Sequence, residues 1–254
     1  MKHPRWILAP NPGPMTLDGT RTYIVGEQRP VVIDPGPDIE PHLEAIIEAL
    51  AGATPEAILL THAHSDHSGC AEKLARRCAA PVRMAAGALK PGNLSQTVLH
   101  LEKDEVISTD AGELRCLPTP GHAPEHVAFV WAGAAGEQLA VFVGDLLLGE
   151  GDTTLVADPE GNVSDYLRSL DLLEGLNPPR LYPTHGPPIE APAEAIARFR
   201  DHRKERITQV EEAIAADPSA DASQVVDLIY GPALHPETRQ LAVASVEAIL
   251  RYRG

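Results

Sequence analysis

Basic residues are scarce in this chain of 254 residues. It contains 21 lysines and arginines against 36 aspartates and glutamates, which gives a net charge of −15 with neutral histidines. A surface this acidic repels polyanions at long range. We therefore expect no general nucleic-acid binder held by a basic face, and no double-stranded DNA partner, although a local cationic site remains compatible with this charge.

Cysteines and long apolar runs are also few. The three cysteines, Cys70, Cys78 and Cys116, form no CxxC pair, which is usual for a reducing compartment. The longest apolar run, around Leu139–Leu148, is interrupted by a glycine and an aspartate, and a membrane span needs roughly 18–20 apolar residues. The first residues lack the continuous apolar segment of a secretory signal. We expect a cytoplasmic enzyme with no membrane contact.

Short strand and helix patterns alternate up to about residue 190. The predicted strands are Arg21–Val25, Val31–Ile33, Ala57–Leu60, Pro81–Ala85, Val98–Leu101, Val106–Ser108, Glu113–Leu117, His126–Trp131, Gln138–Val143 and Arg180–Tyr182. Helices are predicted after an N-cap at Asp38, over Gly69–Ala79, and around Val163–Leu173. Mixed sheets with helices outside them predict a layered α/β sandwich.

The strand patterns stop near Pro192. A long helix is predicted over Ala193–Ala216, followed by helices over Ser223–Tyr230 and Glu237–Tyr252. We therefore predict two units, a catalytic domain over residues 1–192 and a small helical subdomain over residues 193–254.

Four potential metal ligands follow a predicted buried strand in the segment THAHSDHSG. They are His62, His64, Asp66 and His67. A continuing extended backbone points the first two to the same side, and a turn at Ser65 brings the other two round in a different direction. Imidazole and carboxylate together favour zinc, or iron and manganese less strongly. One histidine at a strand end is usually a capping or surface residue, but three beside an aspartate are hard to explain that way.

Three further candidates each follow a predicted strand. They are His122 in TPGH, Asp145 after a glycine, and His185 before a glycine. Each alone is as compatible with a simple turn. Loops that converge on one sheet edge are, however, what a metal site on an α/β scaffold requires, so together they predict one.

The HxHxDH motif with these three later residues resembles the metallo-β-lactamase superfamily over about residues 1–190. This resemblance implies an αββα four-layer sandwich with two metals in a cleft at the sheet edges. The implied ligands of the first metal are His62, His64 and His122, those of the second are Asp66, His67 and His185, and Asp145 bridges the two. The second histidine of the motif favours zinc-type hydrolysis over the diiron flavoprotein branch, which typically has glutamate there.

Further segments are similar to one branch of the superfamily. These are NPGPMTLDGTRTYIVG, TPGHAPEH, PTHGPP and the helical tail. The branch includes an endoribonuclease and thioesterases acting on polyketide acyl carriers, and its tail folds as a winged-helix-like module. Arg21 departs from the asparagine usual in that branch, so no role is carried over to this side chain.

The resemblance implies two Zn²⁺ ions, with iron or manganese as alternatives, and a bridging hydroxide as nucleophile. The charge of two divalent ions exceeds that of Asp66, Asp145 and one hydroxide by about one unit. Such a centre lowers the pKa of its water toward about 7 and stabilises a developing oxyanion. Asp66 is the candidate catalytic residue because it can accept or relay a proton.

Several functions remain open on sequence alone. The leading expectation is hydrolysis of a thioester or ester, carried by a small molecule or an acyl carrier, or of a phosphodiester such as single-stranded RNA. RNA needs a basic track, and the dense basic cluster is confined to Arg200, Arg203, Lys204 and Arg206. A mononuclear iron sulfur dioxygenase and a non-catalytic protein with a DNA-binding tail are the alternatives from other classes.

Four residues are weaker candidates for substrate binding. His126 lies four residues after His122, and His202, Arg203 and Arg206 lie on the predicted long helix. A histidine at a strand start and a solvated helix face are the commoner explanations for these positions.

Overall fold

The computed structural model describes residues 3–86 and 98–253, which form two facing sheets between helical layers. The first sheet contains β1 (Arg5–Leu8), β2 (Arg21–Val25), β3 (Val31–Ile33), β4 (Ala57–Leu59), β5 (Val82–Ala85) and β6 (Leu99–Leu101). The second contains β7 (Val106–Thr109), β8 (Gly112–Pro118), β9 (Val127–Ala132), β10 (Gln138–Gly144) and β11 (Leu181–Pro183). The helices are α1 (Glu40–Leu50), α2 (Ser65–Ser68), α3 (Ala71–Cys78), α4 (Val163–Leu176), α5 (Pro192–Ala216), α6 (Ala222–Tyr230) and α7 (Pro236–Arg253).

Each sheet mixes antiparallel and parallel pairing. The first has the order β1-β2-β3-β4-β5-β6, antiparallel from β1 to β3 and parallel from β3 to β6. The second has the order β11-β10-β9-β8-β7 and is antiparallel except between β10 and β11. Parallel neighbours place their carboxyl ends at the same edge, so the loops after β3, β4 and β11 can meet there.

Three apolar clusters separate the layers. Between the sheets, Trp131 and Phe142 pack with Tyr23 and Tyr182. The outer face of the first sheet packs on α1 and α3, and that of the second packs on α4 to α7. Central strands such as β3 and β4 are therefore buried on both faces, which explains their continuous apolar sequences. The predicted αββα sandwich is confirmed.

Local predictions differ from the structure in three places. Strand β1 was not predicted, because a short and largely exposed edge strand carries little apolar alternation. Helix α1 is capped at Ile39 without a side-chain hydrogen bond, while Asp38 pairs with Lys73. The helix expected over residues 69–79 is α3, which begins at Ala71, and the separate short helix α2 precedes it, because Gly36 accepts the Cys70 N–H and donates to the His67 carbonyl.

The C-terminal helices share one apolar core with the second sheet. Val226 of α6 and Ile249 of α7 lie in the same cluster as Leu170 of α4 and Val141 of β10. Residues 192–253, all of which the structure describes, contain three helices and no strand. The winged-helix likeness and the division near residue 192 therefore stay predictions.

The described helices include none that is both long and apolar enough to cross a membrane.

Gly121 should be intolerant of a side chain. Its φ is +138°, and a Cβ would lie 2.4 Å from the Tyr166 Cα of helix α4. We expect Gly121→Ala to lower the free energy of unfolding by about 1–3 kcal/mol through overpacking. A Cβ at Gly175 of α4 would meet nothing within 4 Å. Gly175→Ala should therefore raise the free energy of unfolding by about 0.5–1 kcal/mol. Urea denaturation of metal-free protein measures both changes, and equal effects would contradict this packing.

Candidate metal centre

The loop after β4 changes direction within the HxHxDH motif. The chain stays extended to His64, which is the N-cap of α2, and the helix then begins at Ser65. This turn sends His62 and His64 to one cluster and Asp66 and His67 to another. The expected change of direction at Ser65 is what the structure shows.

Three imidazole nitrogens form the first cluster. The His64 Nδ1 lies 2.9 Å from the His62 Nε2 and 3.1 Å from the His122 Nε2. Nitrogens that share a tetrahedral zinc ion at about 2.0–2.1 Å stand only slightly farther apart. The three rings therefore present the geometry of a three-histidine site.

The second cluster joins two histidines and an aspartate. The His185 Nε2 lies 3.2 Å and the His67 Nε2 3.7 Å from the Asp66 Oδ2. Both histidines are fully buried, whereas the Asp66 side chain is 29% exposed and lines a cavity. Asp66 thus connects the second cluster with this cavity.

Asp145 lies between the clusters. Its Oδ1 is 3.4 Å from the His67 Nε2 and 3.5 Å from the His185 Nε2, while its Oδ2 is 3.7 Å from the His122 Nε2. Each carboxylate oxygen therefore faces a different cluster.

In every histidine ring of the two clusters, the nitrogen that points away from the cluster has a hydrogen-bond partner. The acceptors are Thr61 Oγ1 for His62, Glu160 Oε2 for His64, Asp34 Oδ2 for His67, the Leu155 carbonyl for His122 and the Gly19 carbonyl for His185. An N–H that donates outward leaves the other nitrogen as an acceptor inside the cluster, and such partners orient metal-binding rings in proteins. The rings are held in the tautomer that a metal requires.

Asp34 is the most heavily used of these partners. Its Oδ1 accepts the Thr61 N–H, and its Oδ2 accepts the hydroxyls of Thr61 and Thr184 as well as the His67 Nδ1–H. The residue is fully buried and has a φ of +49° at the end of β3. It ties the loops after β3, β4 and β11 to one another.

The charges of the site favour a cation. Burial opposes ionisation of Asp66, yet the nearby His67 and His185 rings lower the pKa of Asp66 to about 2. Burial lowers the pKa of histidine, yet Asp145, Asp34 and Asp66 raise the pKa of His67 well above its usual range. Burial also lowers the pKa of His185, but Asp145 and Asp66 have the larger combined effect and raise it to about 9. The carboxylates of Asp66 and Asp145 therefore hold positive charge in the second cluster, and in metal-free protein at neutral pH the protons on His67 and His185 supply it.

Two histidines of the first cluster, His62 and His122, are kept neutral instead. Burial, reinforced by His67 and His122, lowers the pKa of His62 well below its usual range, and burial lowers that of His122. Neutral imidazoles are the form that binds a metal.

Three buried atoms of this donor set have no hydrogen-bond partner. They are the His67 Nε2, the His185 Nε2 and the Asp145 Oδ1. Buried polar atoms are almost always satisfied, so an unpaired group needs an explanation such as an ion. The residues present therefore fit divalent metal ions.

The four weaker candidates do not reach the cavity, and their expected role in substrate binding is corrected. His126 is 1% exposed; its Nδ1 contacts Thr119, and its Nε2 accepts the Asp145 N–H. Burial lowers the pKa of His126 to about 3, so this ring is a neutral support for the Asp145 backbone.

The three candidates on α5 lie behind the cavity wall. Arg203 is 3% exposed, donates to the Thr154 carbonyl and lies over the Tyr166 ring. Arg206 stacks on Tyr230, and the half-buried His202 ring contacts Arg206 at 3.4 Å. These side chains support the wall rather than line it.

Sequence reasoning missed the groups that orient the ligands. Asp34 had a usable signal, because it ends a strand next to β4. Glu160 and Glu125 had none, since the His64 partner lies 96 residues away and the Glu125 Oε1 accepts the Ala63 N–H across 62 residues. Arg21, the departure from the branch pattern, forms a bidentate pair with Asp18.

A family model described as the metallo-beta-lactamase superfamily matches residues 15–185. The chain belongs to this superfamily, and with its site residues it is a metal-dependent hydrolase. The chain is 32% identical over 240 residues to a beta-lactamase-like protein 2 homolog of Drosophila melanogaster, covering 88% of this chain and 78% of that protein. It is 31% identical over 255 residues to an atrochrysone carboxyl ACP thioesterase of Passalora fulva, covering 96% and 73%.

Solved structures share the fold. A metallo-beta-lactamase family protein from Thermus thermophilus, TTHA1429, matches with a TM-score of 0.78 at 22% identity, over 98% of this chain and 92% of that one. TTHA1623, solved in a di-iron-bound form, matches with a TM-score of 0.56 at 30% identity, over 76% of this chain and 97% of that one.

Asp34→Asn should weaken metal binding. The amide cannot accept every donor that now converges on Asp34, so the His67 ring loses its orientation. We expect a loss of about 10–100-fold in affinity for one ion, measured by competition with a chromogenic chelator. Asp38→Asn, an exposed carboxylate paired with Lys73, is the control and should bind as the wild type does. Unchanged affinity in Asp34→Asn would contradict the role of this residue.

Metal binding should release protons. In metal-free protein at neutral pH, the raised pKa values keep His67 and His185 protonated, and a cation must displace those protons. Apparent affinity should therefore rise with pH up to about 9 and fall as pH is lowered. Calorimetric titrations in two buffers of different ionisation enthalpy measure the release, with the exposed His100→Asn as the unchanged control. Buffer-independent heats would contradict it.

Proposed function

We propose that this protein is a dinuclear zinc-dependent hydrolase that acts on a thioester or ester. The proposal rests on one observation, the position of Asp145 between two donor clusters with one oxygen facing each. A separate group of three donor residues on each side of Asp145 supports two ions rather than one. Iron or manganese would fit the same imidazole and carboxylate donors.

Two bound ions would supply a water that is deprotonated near neutral pH and a positive charge for the carbonyl oxygen. The chain's own residues do the rest. Asp66 lines the cavity and stays ionised because its pKa is lowered to about 2, so it is the group placed to accept or relay a proton from the nucleophilic water. Asp145 is held by the His126 ring at its backbone N–H and by the Thr154 hydroxyl at its carbonyl.

The thioester class has two supports. A curated relative is named as a thioesterase acting on a carrier-bound carboxyl group, at 31% identity. The net negative charge of the chain is compatible with a substrate that is not a long polyanion. A small-molecule or acyl-carrier substrate in the cytoplasm fits both, and the three free cysteines agree with that compartment.

Single-stranded RNA is the second substrate class and has less support. The basic cluster on α5 is largely engaged, because Arg200 pairs with Glu174 and Asp171 and Arg203 is buried. A phosphate-binding track would need these cations free.

A mononuclear iron dioxygenase is the other alternative. It would leave the second cluster without a purpose, whereas the solved relative at 30% identity was found with two irons. Counting metal ions separates the two functions.

The test is a combined metal and activity measurement on zinc-loaded protein. We expect two metal ions per chain by elemental analysis and hydrolysis of acyl thioesters, with little action on single-stranded RNA or a β-lactam. Asp145→Asn should reduce the metal content and lower kcat/KM by more than the about 100-fold that loss of an orienting partner costs. Asp104→Asn, an exposed carboxylate paired with Arg115, should change neither value.

Three outcomes would overturn the proposal. They are one iron per chain without zinc and without loss of activity in Asp145→Ala, efficient cleavage of RNA but not of thioesters, and no hydrolysis of any substrate by fully loaded protein. The last outcome would favour a non-catalytic binding protein.

A further inference from the structure

A cavity of about 440 Å³ opens onto the metal centre, and two parts of the chain build it. His64, Asp66, His122 and Asp145 line one end. The volume lies in the range of pockets that enclose a drug-sized ligand. The cavity is therefore continuous with the reacting centre and large enough for much more than the scissile bond.

The walls away from the metal centre are mainly apolar, and their small polar side chains are the hydroxyls of Thr153, Thr154, Thr238 and Ser245. Met15, Leu148 and Leu155 come from the sandwich, and Tyr230, Leu234 and Leu241 come from the C-terminal helical segment. Among the residues that the structure describes, no lysine or arginine lines this cavity. A charged group placed here would lose hydration without gaining a counter-ion, whereas an apolar group gains about 25 cal/mol for each Å² it buries.

The helical wall is held in place from behind. The Arg206 guanidinium stacks on the Tyr230 ring at 4.8 Å, while Val226 and Ile249 anchor α6 and α7 in the core of the second sheet. Tyr230 and Leu241 nevertheless stay 41% and 37% exposed. They are large apolar side chains on a fixed wall, facing the reacting centre, which is how a substrate-binding surface is built.

We propose that this chamber binds the acyl part of the substrate, and that Tyr230, Leu234 and Leu241 determine which acyl groups are accepted. The inferred substrate class is a thioester or ester of an uncharged apolar acyl group, either a medium-length chain or an aryl ring. The C-terminal segment is thus the selective half of the cleft, and the sandwich is the reactive half. This inference rests on the proposed hydrolase function.

The reaction consistent with this placement is simple hydrolysis. A water oxygen forms a bond to the acyl carbon, and the bond from that carbon to sulfur breaks. The thiolate takes one proton from the water, and the acid product releases the other at neutral pH. No oxidant, reductant or further co-reactant is needed.

The first arm of the test measures binding without turnover. Straight-chain carboxylates from acetate to decanoate are titrated calorimetrically into zinc-loaded protein. Each added methylene should tighten binding about four-fold until the chamber is filled. Leu241→Ala should weaken decanoate by about ten-fold or more and leave acetate unchanged. Leu228→Ala is the matched control, because Leu228 is 60% exposed on α6 and lies outside the cavity lining.

The second arm measures kcat/KM for N-acetylcysteamine thioesters of the same acyl series and of benzoate. Wild type should prefer the longer acyl groups, and Leu241→Trp should abolish that preference by lowering kcat/KM for the longer acyl groups much more than for acetyl. Affinity independent of chain length, or equal effects of Leu241→Ala and Leu228→Ala, would overturn the acyl chamber. A chain-length series in binding without any thioester hydrolysis would overturn the hydrolase proposal and leave the apolar chamber standing.

Discussion

The metal centre depends on one buried carboxylate that joins the two sheets at a single edge. Asp34 ends β3 and accepts hydrogen bonds from Thr61 after β4 and from Thr184 after β11, the last of which belongs to the second sheet. The same carboxylate fixes the His67 ring. Because it accepts donors from the ends of two other strands and from His67 at once, the relative position of the sheets and the orientation of a ligand are set by the same bonds.

Orientation is the general problem that this site solves. An imidazole offers two nitrogens, and only one can face the cluster, so a second group must bind the other. The partners come from all parts of the sandwich and include two backbone carbonyls, those of Gly19 and Leu155. The surrounding carboxylates then give the centre a local charge that suits a cation, independent of the large net negative charge of the whole chain.

The cleft combines two halves of different origin. The sandwich contributes the polar end, and the helical segment contributes much of the apolar wall. A short relay connects them, since Arg203 of α5 donates to the Thr154 carbonyl and the Thr154 hydroxyl donates to the Asp145 carbonyl. The tail therefore supports the apolar wall of the cavity and, through this relay, the backbone of Asp145. This arrangement explains why the tail shares a continuous apolar core with α4 and the second sheet.

The amino-acid pattern alone was sufficient for the layered sandwich and most strand positions, because apolar periodicity is a local property of the chain. The family resemblance implied the seven donor residues, which the structure brings close together. The sequence was not sufficient for edge strand β1, the break at Cys70, or the partners Asp34 and Glu160. It also placed His126 and Arg203 in the cleft, whereas the structure buries both behind it. These features depend on contacts between residues far apart in sequence, such as the 96 positions between His64 and Glu160. Which side chains line a cavity and which support it is decided only when the layers pack.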